Sequence, residues 1–560
     1  MKITKIKKLC AVALTFALGV GTLVGCGGSD NGGDSAQELI YNLGTETKTI
    51  DPALNNAVDG SIVIANAFEG LCRTDENDKA IPGVAEKWEV SEDQLTYTFH
   101  LREDAKWSDG EPVKAGDFAY AWTRALDPAT AAEYAFQLYY IENAEEFNAE
   151  KTKDNGEKYT AADLGIKVVD DKTLEVKLAK PTTYFLELTA FPTLMPVRED
   201  KVSANPDGWT LEPESYVTNG PFKLEEYNMK DSYVLVKNDN YHGKDSVKLD
   251  KLTLKMISES TSGYASVKNG EIDGTDNVPS AEIEQGKADG IVQIFPQLGN
   301  YFYCLNVGNN IDQLDPAVRE ALGKKEFRQA LNLAIDRKSI VEKITKGGET
   351  PAYSYVPAGI PGGKEGTEFA DKKYWNPEQM DENIAKAKEL LAKAGYPNGE
   401  GLPTFKLSYN TEATENKLIA EATQQMWANI GVKVELQNSE WKVFQDQRKS
   451  GKFEIARHGW VGDYVDPMTF IDMWMTGLGN NDAKFANAEY DNLVREAMVE
   501  TNAEKRAEIL RKAEDILMDE MPILPVYYKT QVKAISPQVK DVRVSPLGTI
   551  YFDKAYKSAE

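Results

Sequence analysis

The chain has 560 residues and a formal net charge of −25 at pH 7, from 64 basic and 89 acidic side chains. Such an acidic excess repels nucleic-acid phosphates and anionic lipid headgroups, which argues against a nucleic-acid function. Hydrophobic residues make up 41% of the chain, as in ordinary globular proteins, and the length predicts two or three lobes.

The first 25 residues have the pattern of a secretory signal peptide. A start with four lysines precedes an apolar run over residues 9–20, which is too short to span a hydrocarbon core of ~30 Å. The next residues end in Leu-Val-Gly-Cys, with the cysteine at Cys26. This ending resembles a bacterial lipobox, so we predict cleavage before Cys26 and lipidation of its side chain. The alternative is an ordinary cleaved signal followed by an incidental cysteine.

Residues 26–37 are rich in glycine and contain almost no apolar side chains, which predicts a flexible tether. Together with the signal peptide, the tether predicts an extracytoplasmic protein. Lipid on Cys26 would anchor it to the outer face of the cell membrane, and anchoring is firm when two acyl chains are attached.

Residues that commonly carry chemistry are scarce. After the leader, Cys72 and Cys304 are the remaining cysteines. We expect two buried thiols, and one disulfide is the alternative. The three histidines form no His-Glu-x-x-His pair, and the sequence contains no Gly-x-Ser-x-Gly elbow and no phosphate-binding Gly-x-x-x-x-Gly-Lys loop. This pattern favours a binding protein without cofactor or metal over an enzyme.

The first half of the chain predicts mainly strands. Residues 95–101 alternate apolar and polar side chains, which indicates a half-buried strand. Residues 166–169 and 174–178 flank an Asp-Asp-Lys turn and predict a hairpin. Residues 232–237 and 252–257 are further strand candidates.

Helical spacing of apolar residues predicts helices over 327–344 and 382–394, the second ending at Gly395 as its C-terminal cap. A strand over 405–409, a helix over 416–430 and a strand over 432–436 follow. This order predicts a β-α-β unit with parallel strands and a right-handed crossover.

The end of the chain predicts two further elements. Apolar spacing indicates more helix over residues 493–518. Residues 522–528, which read Pro-Ile-Leu-Pro-Val-Tyr-Tyr, indicate an extended segment.

Residues 85–118 contain Ala-Glu-Lys-Trp-Glu-Val-Ser and, later, Ala-Lys-Trp-Ser-Asp-Gly-Glu-Pro-Val-Lys-Ala-Gly-Asp-Phe. This segment closely resembles the signature of the extracellular solute-binding proteins of family 5, the peptide- and nickel-binding receptors of ABC importers. Shorter stretches, in the same order along the chain, carry the same resemblance: Phe68–Leu71, Val217–Phe222, Asn269–Asp273 and Phe327–Leu331.

The resemblance implies an α/β fold of the type II periplasmic-binding-protein class, with two lobes, a hinge and an extra subdomain. It places lobe I in residues 38–68, 191–297 and 520–560. The inserted subdomain then covers residues 69–190, and lobe II covers residues 298–519. Ligand would bind between the lobes, which close over it.

Residues 456–467, Ala-Arg-His-Gly-Trp-Val-Gly-Asp-Tyr-Val-Asp-Pro, are similar to the oligopeptide receptors of this family. The resemblance implies that Asp463 binds the α-amino group of a peptide, that Arg457 meets the α-carboxylate of a short peptide, and that Trp460 lines a side-chain pocket. Six residues of extended chain reach at most ~20 Å, enough to bracket a tripeptide of ~10 Å. The alternative for Arg457 and Asp463 is a local salt bridge or a pair of solvated charges.

Further contacts follow from the same resemblance. The hydroxyl of Tyr134 would reach the α-amino group, although a packed aromatic residue is an equal alternative. The tyrosine-rich segment around Phe302 would line the cleft, with Cys304 in place of a family acid. Glu415 stands where a related receptor offers a histidine to carboxylates, so the preferred peptide length should differ.

An extended peptide can bind as an added strand through main-chain hydrogen bonds, which makes binding independent of its sequence. Val58, Gly459 and Val461 are candidate partners for such bonds, and simple loop geometry is the alternative.

The expected function is that of a monomeric lipoprotein that captures short peptides and delivers them to the permease of an ABC importer. A receptor for one signalling or cell-wall peptide and a nickel or metallophore receptor are alternatives within the family. An extracellular peptidase would need a nucleophile or metal site that the sequence does not show. A surface adhesin would need an exposed apolar patch.

Overall fold

The computed structural model of the chain describes residues 36–308 and 314–558. The predicted signal peptide, Cys26 and the tether up to residue 35 therefore lie outside the described residues. Within the described ranges, no helix is long and apolar enough to cross a membrane.

The strands are short except for two in the centre of the fold. In chain order they are β1 (Glu38–Asn42), β2 (Cys72–Thr74), β3 (Ala80–Pro82), β4 (Ala85–Val90), β5 (Thr96–Leu101), β6 (Ile166–Asp170), β7 (Thr173–Lys177), β8 (Phe222–Asn228), β9 (Ser232–Lys237), β10 (Lys251–Lys255), β11 (Gly274–Thr275), β12 (Val292–Leu305), β13 (Thr350–Pro351), β14 (Phe405–Asn410), β15 (Val434–Ser439), β16 (Ile455–Val461), β17 (Ile523–Ile535), β18 (Val539–Lys540), β19 (Arg543–Val544), β20 (Ile550–Tyr551) and β21 (Tyr556–Lys557).

The helices are concentrated in the second half of the chain. They are α1 (Val58–Ala67), α2 (Ala115–Leu126), α3 (Ala144–Asn148), α4 (Phe185–Leu188), α5 (Glu199–Ala204), α6 (Ser260–Lys268), α7 (Ile283–Ala288), α8 (Pro316–Gly323), α9 (Lys325–Leu333), α10 (Arg337–Ser339), α11 (Met380–Lys393), α12 (Thr414–Ala428), α13 (Trp441–Lys449), α14 (Met468–Ile471), α15 (Ala488–Val499) and α16 (Ala503–Glu520).

Eleven strands form one mixed sheet in the order β15-β14-β16-β12-β17-β11-β1-β10-β9-β8, with β13 added beside β17. The long strands β12 and β17 run antiparallel through its centre, and their register shifts between Pro296 and Asn300. A second register shift follows between Tyr301 and Phe302. β4, β5, β7 and β6 form a separate antiparallel sheet inside the range predicted for the inserted subdomain. The exact lobe boundaries stay a prediction.

Most strands predicted from alternation are confirmed. Residues 95–101 contain β5, and the predicted hairpin is the antiparallel pair β6 and β7. The segments 232–237 and 252–257 correspond to β9 and β10. These strands present alternate residues to the core, which is the pattern that predicted them.

The β-α-β unit is also confirmed, because β14 and β15 pair in parallel around α12. The helix predicted over 382–394 is α11. Gly395, directly after its cap residue Ala394, has φ +92°, the left-handed conformation that suits glycine at a helix end. The extended segment after residue 522 is the start of β17.

The single helix predicted over 327–344 is wrong. α9 ends at Leu333, and the chain restarts at α10, which continues into a π-helix over Ile340–Thr345. Asp336 caps the new start by accepting the backbone N–H of Ser339 at 3.0 Å. The buried guanidinium of Arg337 donates to the carbonyl oxygens of Asn332 and Ile335, so the break leaves them satisfied.

A second predicted helix, 493–518, is two helices. α15 ends at Val499, and Asn502 accepts the backbone N–H of Lys505 at 3.0 Å to start α16. The cysteine prediction is confirmed: Cys72 and Cys304 are both buried free thiols.

Candidate functional site

A cavity of about 530 Å³ lies along β16 and extends to the start of α1 and to β17. Seven of the eight predicted site residues line it: Val58, Tyr134, Arg457, Gly459, Trp460, Val461 and Asp463. Residues that lie far apart in the sequence thus share one concave site. Their roles in binding stay predictions.

Asp463 follows the end of β16, and its carboxylate has no cationic partner within residues 36–308 and 314–558. Its Oδ2 accepts a hydrogen bond of 2.6 Å from Nε2 of Gln137, a buried residue in the 3-10 helix Ala135–Leu138. Burial, and then the negative charge of Asp472, raise the pKa of Asp463 well above its usual range. Among the described residues, no lysine, arginine or histidine lies within 4.0 Å of this carboxylate. An incoming ammonium group would supply the missing charge.

Thr469, in α14, fixes both ends of the segment before Asp463. Its hydroxyl accepts the backbone N–H of Asp463 at 2.9 Å. Its carbonyl oxygen accepts the indole N–H of Trp460 at 2.7 Å. The backbone of Asp463 and the indole of Trp460 are therefore held by one short helix, and neither depends on a ligand for its position.

Tyr134 is a packed aromatic residue, and its contact with a peptide's α-amino group stays a prediction. Its ring lies nearly parallel to that of Trp460, with ring centroids 6.3 Å apart, and also stacks on Phe191 at 5.3 Å. Burial, and then the charge of Asp463, raise the pKa of its hydroxyl well above 10.0. The hydroxyl therefore stays protonated beside the carboxylate, as a hydrogen-bond donor.

Arg457 lies on the cavity face of β16 at the opposite end of the strand. Its guanidinium lies 5.3 Å from the ring centroid of Tyr301 and 5.8 Å from that of Trp441. Its Nε is buried and has no hydrogen-bond partner among the residues that the structure describes. No carboxylate of the described residues lies within 4.0 Å of it. The alternative of a local Arg457–Asp463 salt bridge is therefore wrong, and both charges face the cavity unpaired.

Beneath Arg457 lies a buried charged group that the sequence did not predict. Asp482 lies 3.2 Å from Nε of Arg448 and 3.2 Å from Nε2 of His458. Nδ1 of His458 lies 2.7 Å from the backbone nitrogen of Gly459 and 2.9 Å from its carbonyl oxygen. Burial, and then the charge of Arg448, lower the pKa of His458 to about 3.

Cys304 lies next to this group, and the charge of Asp482 adds to burial in raising the pKa of its thiol. The family resemblance places Cys304 where related receptors have an acid. The charge of Asp482, from a different part of the chain, acts on this position.

The prediction that Phe302 lines the cleft is wrong, because Phe302 is not among the residues that line the cavity. It is fully buried in β12, opposite His458 of β16, and the two rings stack with centroids 4.6 Å apart. Its other ring contacts are Tyr355 and Trp474, on the core side of the sheet. The residues of β12 that were expected to line the cleft pair with β16 as its neighbour in the sheet.

Sequence reasoning missed Gln137 and Lys529. Gln137 lies in a segment without any motif, and its position against Asp463 depends on the tertiary fold. Lys529 lines the cavity from β17. A single lysine directly after the buried run Ile523–Tyr528 is the signal that could have identified it.

Glu415 also lines the cavity, and its Oε1 accepts the backbone N–H of Ser280 at 2.8 Å. Its effect on peptide length stays a prediction.

The sequence pattern of the bacterial extracellular solute-binding proteins, family 5 Middle, matches residues 79–482. The chain belongs to this family. Over 567 aligned residues it is 38% identical to the oligopeptide-binding protein OppA of Bacillus subtilis (strain 168), covering 98% of each chain. The family resemblance read from the sequence is therefore confirmed.

Two solved structures of family 5 proteins differ in their likeness to this chain. OppA of Haemophilus influenzae, in complex with RPPGFSPFR, has a TM-score of 0.83 at 32% identity, covering 94% of this chain and 99% of that chain. The periplasmic murein tripeptide binding protein MppA, in its unliganded open form, has a TM-score of 0.63 at 33% identity, covering 93% and 97%. These structures confirm the two-lobed fold class.

Proposed function

We propose that this chain captures short peptides outside the cell, held at the membrane by lipid on Cys26, and delivers them to the permease of an ABC importer. One observation carries the proposal. The carboxyl group of Asp463 and the guanidinium of Arg457, neither with an oppositely charged partner among the described residues, line one cavity. A peptide zwitterion carries the two complementary charges at its ends, and charge-assisted hydrogen bonds in a closed site are strong.

The strand between the two charges supports a peptide rather than a free amino acid. Arg457 lies in β16, and Asp463 follows the strand six positions later. The stretch of β16 from Arg457 to Val461 is extended strand, about 13 Å long at ~3.3 Å per residue, which is more than a single amino acid can bridge. Val461 and Gly459 offer main-chain groups between the two charges, where an extended ligand would add as a strand.

The conformation also supports ligand capture. The TM-score is 0.83 with the peptide-bound OppA and 0.63 with the open MppA, at nearly equal identity and coverage. The described residues thus have an arrangement closer to the peptide-bound relative. Closure of two lobes that both contact the ligand is expected to bury it.

In this proposal the lobe boundaries are those predicted from the sequence: 38–68, 191–297 and 520–560 for lobe I, 69–190 for the subdomain and 298–519 for lobe II. The hinge would include the register shift of β12 and β17, because these strands connect the two halves of the large sheet. The free protein would be a monomer and would act without a cofactor.

Native mass spectrometry tests peptide capture. The chain from Gly27 onward contains the whole compact unit that starts at Ala36. We would purify it, release bound molecules under denaturing conditions and sequence them. A mixture of short peptides of narrow length range supports a general receptor, and one defined peptide supports a signalling or cell-wall receptor. A protein that gains no mass from a peptide library, or gains mass from a metal chelate, would overturn peptide capture.

Membrane anchoring and peptide delivery are tested in cells. Cells that lack the chain should lose uptake of a labelled tripeptide and regain it with the full chain. Cys26→Ala should still be exported but should incorporate no labelled palmitate and should leak into the medium. Normal retention of Cys26→Ala at the membrane would contradict lipid anchoring without affecting the peptide proposal.

A further inference from the structure

Lys529 occupies an irregular position in the centre of the large sheet. Its neighbours in β17, Tyr528 and Thr530, pair with Asn300 and Pro296 of β12, so Lys529 lies opposite a bulge in the partner strand. The side chain is half-buried and lines the cavity. A bulge of this kind re-aims the side chains around it.

The Lys529 amine reaches across to β16, where Gly459 leaves room for it. A Cβ atom added to Gly459 would lie 3.1 Å from Nζ of Lys529 and 3.0 Å from the carbonyl oxygen of Asn300. Gly459 is two positions after Arg457 in the same strand, so the side-chain directions of both point to the same face. The amine therefore occupies the place on that face where another residue would put its side chain.

Neither of these two cations has an anionic partner in the part of the chain that the structure describes. Within the described ranges, no carboxylate lies within 4.0 Å of Nζ of Lys529 or of the Arg457 guanidinium. The neighbouring cleft cations are paired: Lys533 with Asp276 at 2.7 Å, Lys449 with Glu133 at 2.8 Å, and Arg448 with Asp482 at 3.2 Å. Two unpaired like charges along one cavity wall repel each other, and a bound anion would relieve that repulsion.

We propose that Lys529 and Arg457 form one carboxylate-binding site and that Lys529 makes the protein select ligands with a carboxylate at the level of Gly459. This proposal rests on the proposed peptide function. Gly459 lies four residues before Asp463, at most ~14 Å along an extended chain, and a tripeptide spans ~10 Å. The α-carboxylate of a short peptide whose amino group contacts Asp463 therefore reaches this level. A glutamate side chain offers the same chemistry.

Carboxylate binding at Lys529 also predicts proton uptake. Burial, and then the positive charge of Arg457, lower the pKa of Lys529 to about 7 in the free protein. A carboxylate favours the ammonium form and raises this pKa, so binding above pH 7 draws up to one proton from solution. Affinity should then fall as the pH rises from 7 to 9, whereas below pH 6 the amine is already charged.

Other titratable groups face the same cavity. They are Asp463 on the loop after β16, His458 on β16, Asp59 on α1, Arg448 and Lys449 on α13, the Asp276–Lys533 pair, the tyrosines Tyr134, Tyr527 and Tyr551, and the carboxylates Asp78, Glu187, Glu349, Glu412 and Glu415. The assignment to Lys529 therefore needs its own variant.

Titration calorimetry with Lys529→Met tests the proposal. The ligands are Ala-Ala-Ala with a free carboxylate, its C-terminal amide, and the amide of Ala-Glu-Ala, each at pH 8 in two buffers of different ionisation heat. We expect Lys529→Met to weaken binding of the free acid about tenfold or more and to abolish the proton uptake that accompanies it. The affinity for the alanine amide should not change. If Lys529→Met weakens binding of the Ala-Glu-Ala amide alone, the site binds an acidic side chain rather than the α-carboxylate.

Two variants serve as controls. Lys533→Met removes a cleft lysine that already has a partner, so the difference between free acid and amide, and the proton uptake, should remain. Lys529→Arg keeps the charge at all accessible pH values and should bind without proton uptake. If Lys529→Met fails to fold, the loss of pH dependence in Lys529→Arg decides the question.

The outcomes separate the two proposals. A wild-type protein that binds none of the peptides contradicts peptide capture itself. Wild-type binding that Lys529→Met reproduces in affinity and in proton uptake, for all three ligands, overturns the role of Lys529 and leaves peptide capture intact.

Discussion

Gln137 holds the carboxylate of Asp463 through a hydrogen bond of 2.6 Å from its Nε2 to Oδ2. The amide comes from the region predicted as the inserted subdomain, and the carboxylate from the region predicted as lobe II. An amide donor orients a carboxylate without neutralising it. Asp463 is thereby kept in place, still lacking a positive charge, on the wall of the cavity.

We expect Asp463→Asn to weaken binding of a free tripeptide by at least ~30-fold, or about 2 kcal/mol, because it removes the charge opposite the α-amino group. Thermal stability should stay equal or increase, because the pKa of Asp463 is raised by burial and its charged form is disfavoured in the free protein. Calorimetry and a melting curve measure the two effects.

An N-acetylated tripeptide is the matched ligand for this variant. It lacks the ammonium group, so it should bind weakly to the wild type and to Asp463→Asn alike. Equal affinity of both proteins for the free tripeptide would show that Asp463 does not contact the amino end.

Gln137→Leu should weaken binding of the free tripeptide by about tenfold, which is the effect expected for the loss of a hydrogen bond to a charged group. The hydrogen bond from Gln137 lowers the pKa of Asp463, so its loss raises that pKa further. The affinity deficit should therefore grow as the pH falls from 8 to 6, since more of the carboxylate is then protonated.

Gln297→Leu is the control for Gln137→Leu. Gln297 also lines the cavity, and within the described residues it has no hydrogen bond to Asp463. A pH-dependent deficit of the same size in both variants would contradict a specific role for Gln137.

Much of the fold follows from local pattern. Strands such as β9 and the unit of β14, α12 and β15 form where alternation and helical spacing predict them. The helix break after Leu333 does not follow from local pattern, because the apolar spacing continues through it. Its cause is tertiary: Arg337 also donates to the carbonyl oxygen of Pro525 in β17 at 2.8 Å. No window of local sequence contains that partner.

The candidate site, too, could be predicted from local sequence only in part. A continuous motif contains Arg457, Trp460 and Asp463, and the structure places all three at one cavity. Phe302 was assigned to the cavity through its strand, but in a strand one position decides which face a side chain occupies. Lys529 and Asp482 reach their partners from distant segments, which a motif cannot reveal.

His458 should make the protein sensitive to mild acid. Its pKa is about 3 in the folded protein and 6.5 in an unfolded chain, so the unfolded state binds one more proton between these values. The free energy of unfolding should therefore fall as the pH drops from 6.5 to 4.5, by up to ~1.4 kcal/mol per pH unit.

His458→Gln removes this titration, and urea unfolding at pH 4.5, 5.5 and 6.5 compares the slopes. These pH values lie above the range in which Asp482 takes up its proton, because the pKa of Asp482 is lowered. A folded variant with the wild-type slope would show that His458 is already protonated in the native state.

The two thiols should be unreactive until the protein unfolds. In the chain from Gly27 onward, Cys72 and Cys304 are the only cysteines. Burial raises the pKa of Cys72 to about 12, and it raises that of Cys304 well above 9.0. Because the thiolate is the reactive form, a disulfide reagent should label neither thiol at pH 8 and both in denaturant. Labelling of fewer than two in denaturant without reductant would indicate a disulfide.

Gly459→Ala should act through Lys529. The new methyl group would lie 3.1 Å from Nζ of Lys529 and 3.0 Å from the main-chain oxygen of Asn300, and the amine is the partner that can move. We expect a loss of affinity for the free tripeptide similar to that of Lys529→Met. The double variant should lose little more than either single variant, because both changes remove the same contact. Gly323→Ala, where an added Cβ meets nothing within 4 Å, should bind like the wild type. Fully additive losses in the double variant would show that Gly459 and Lys529 act independently.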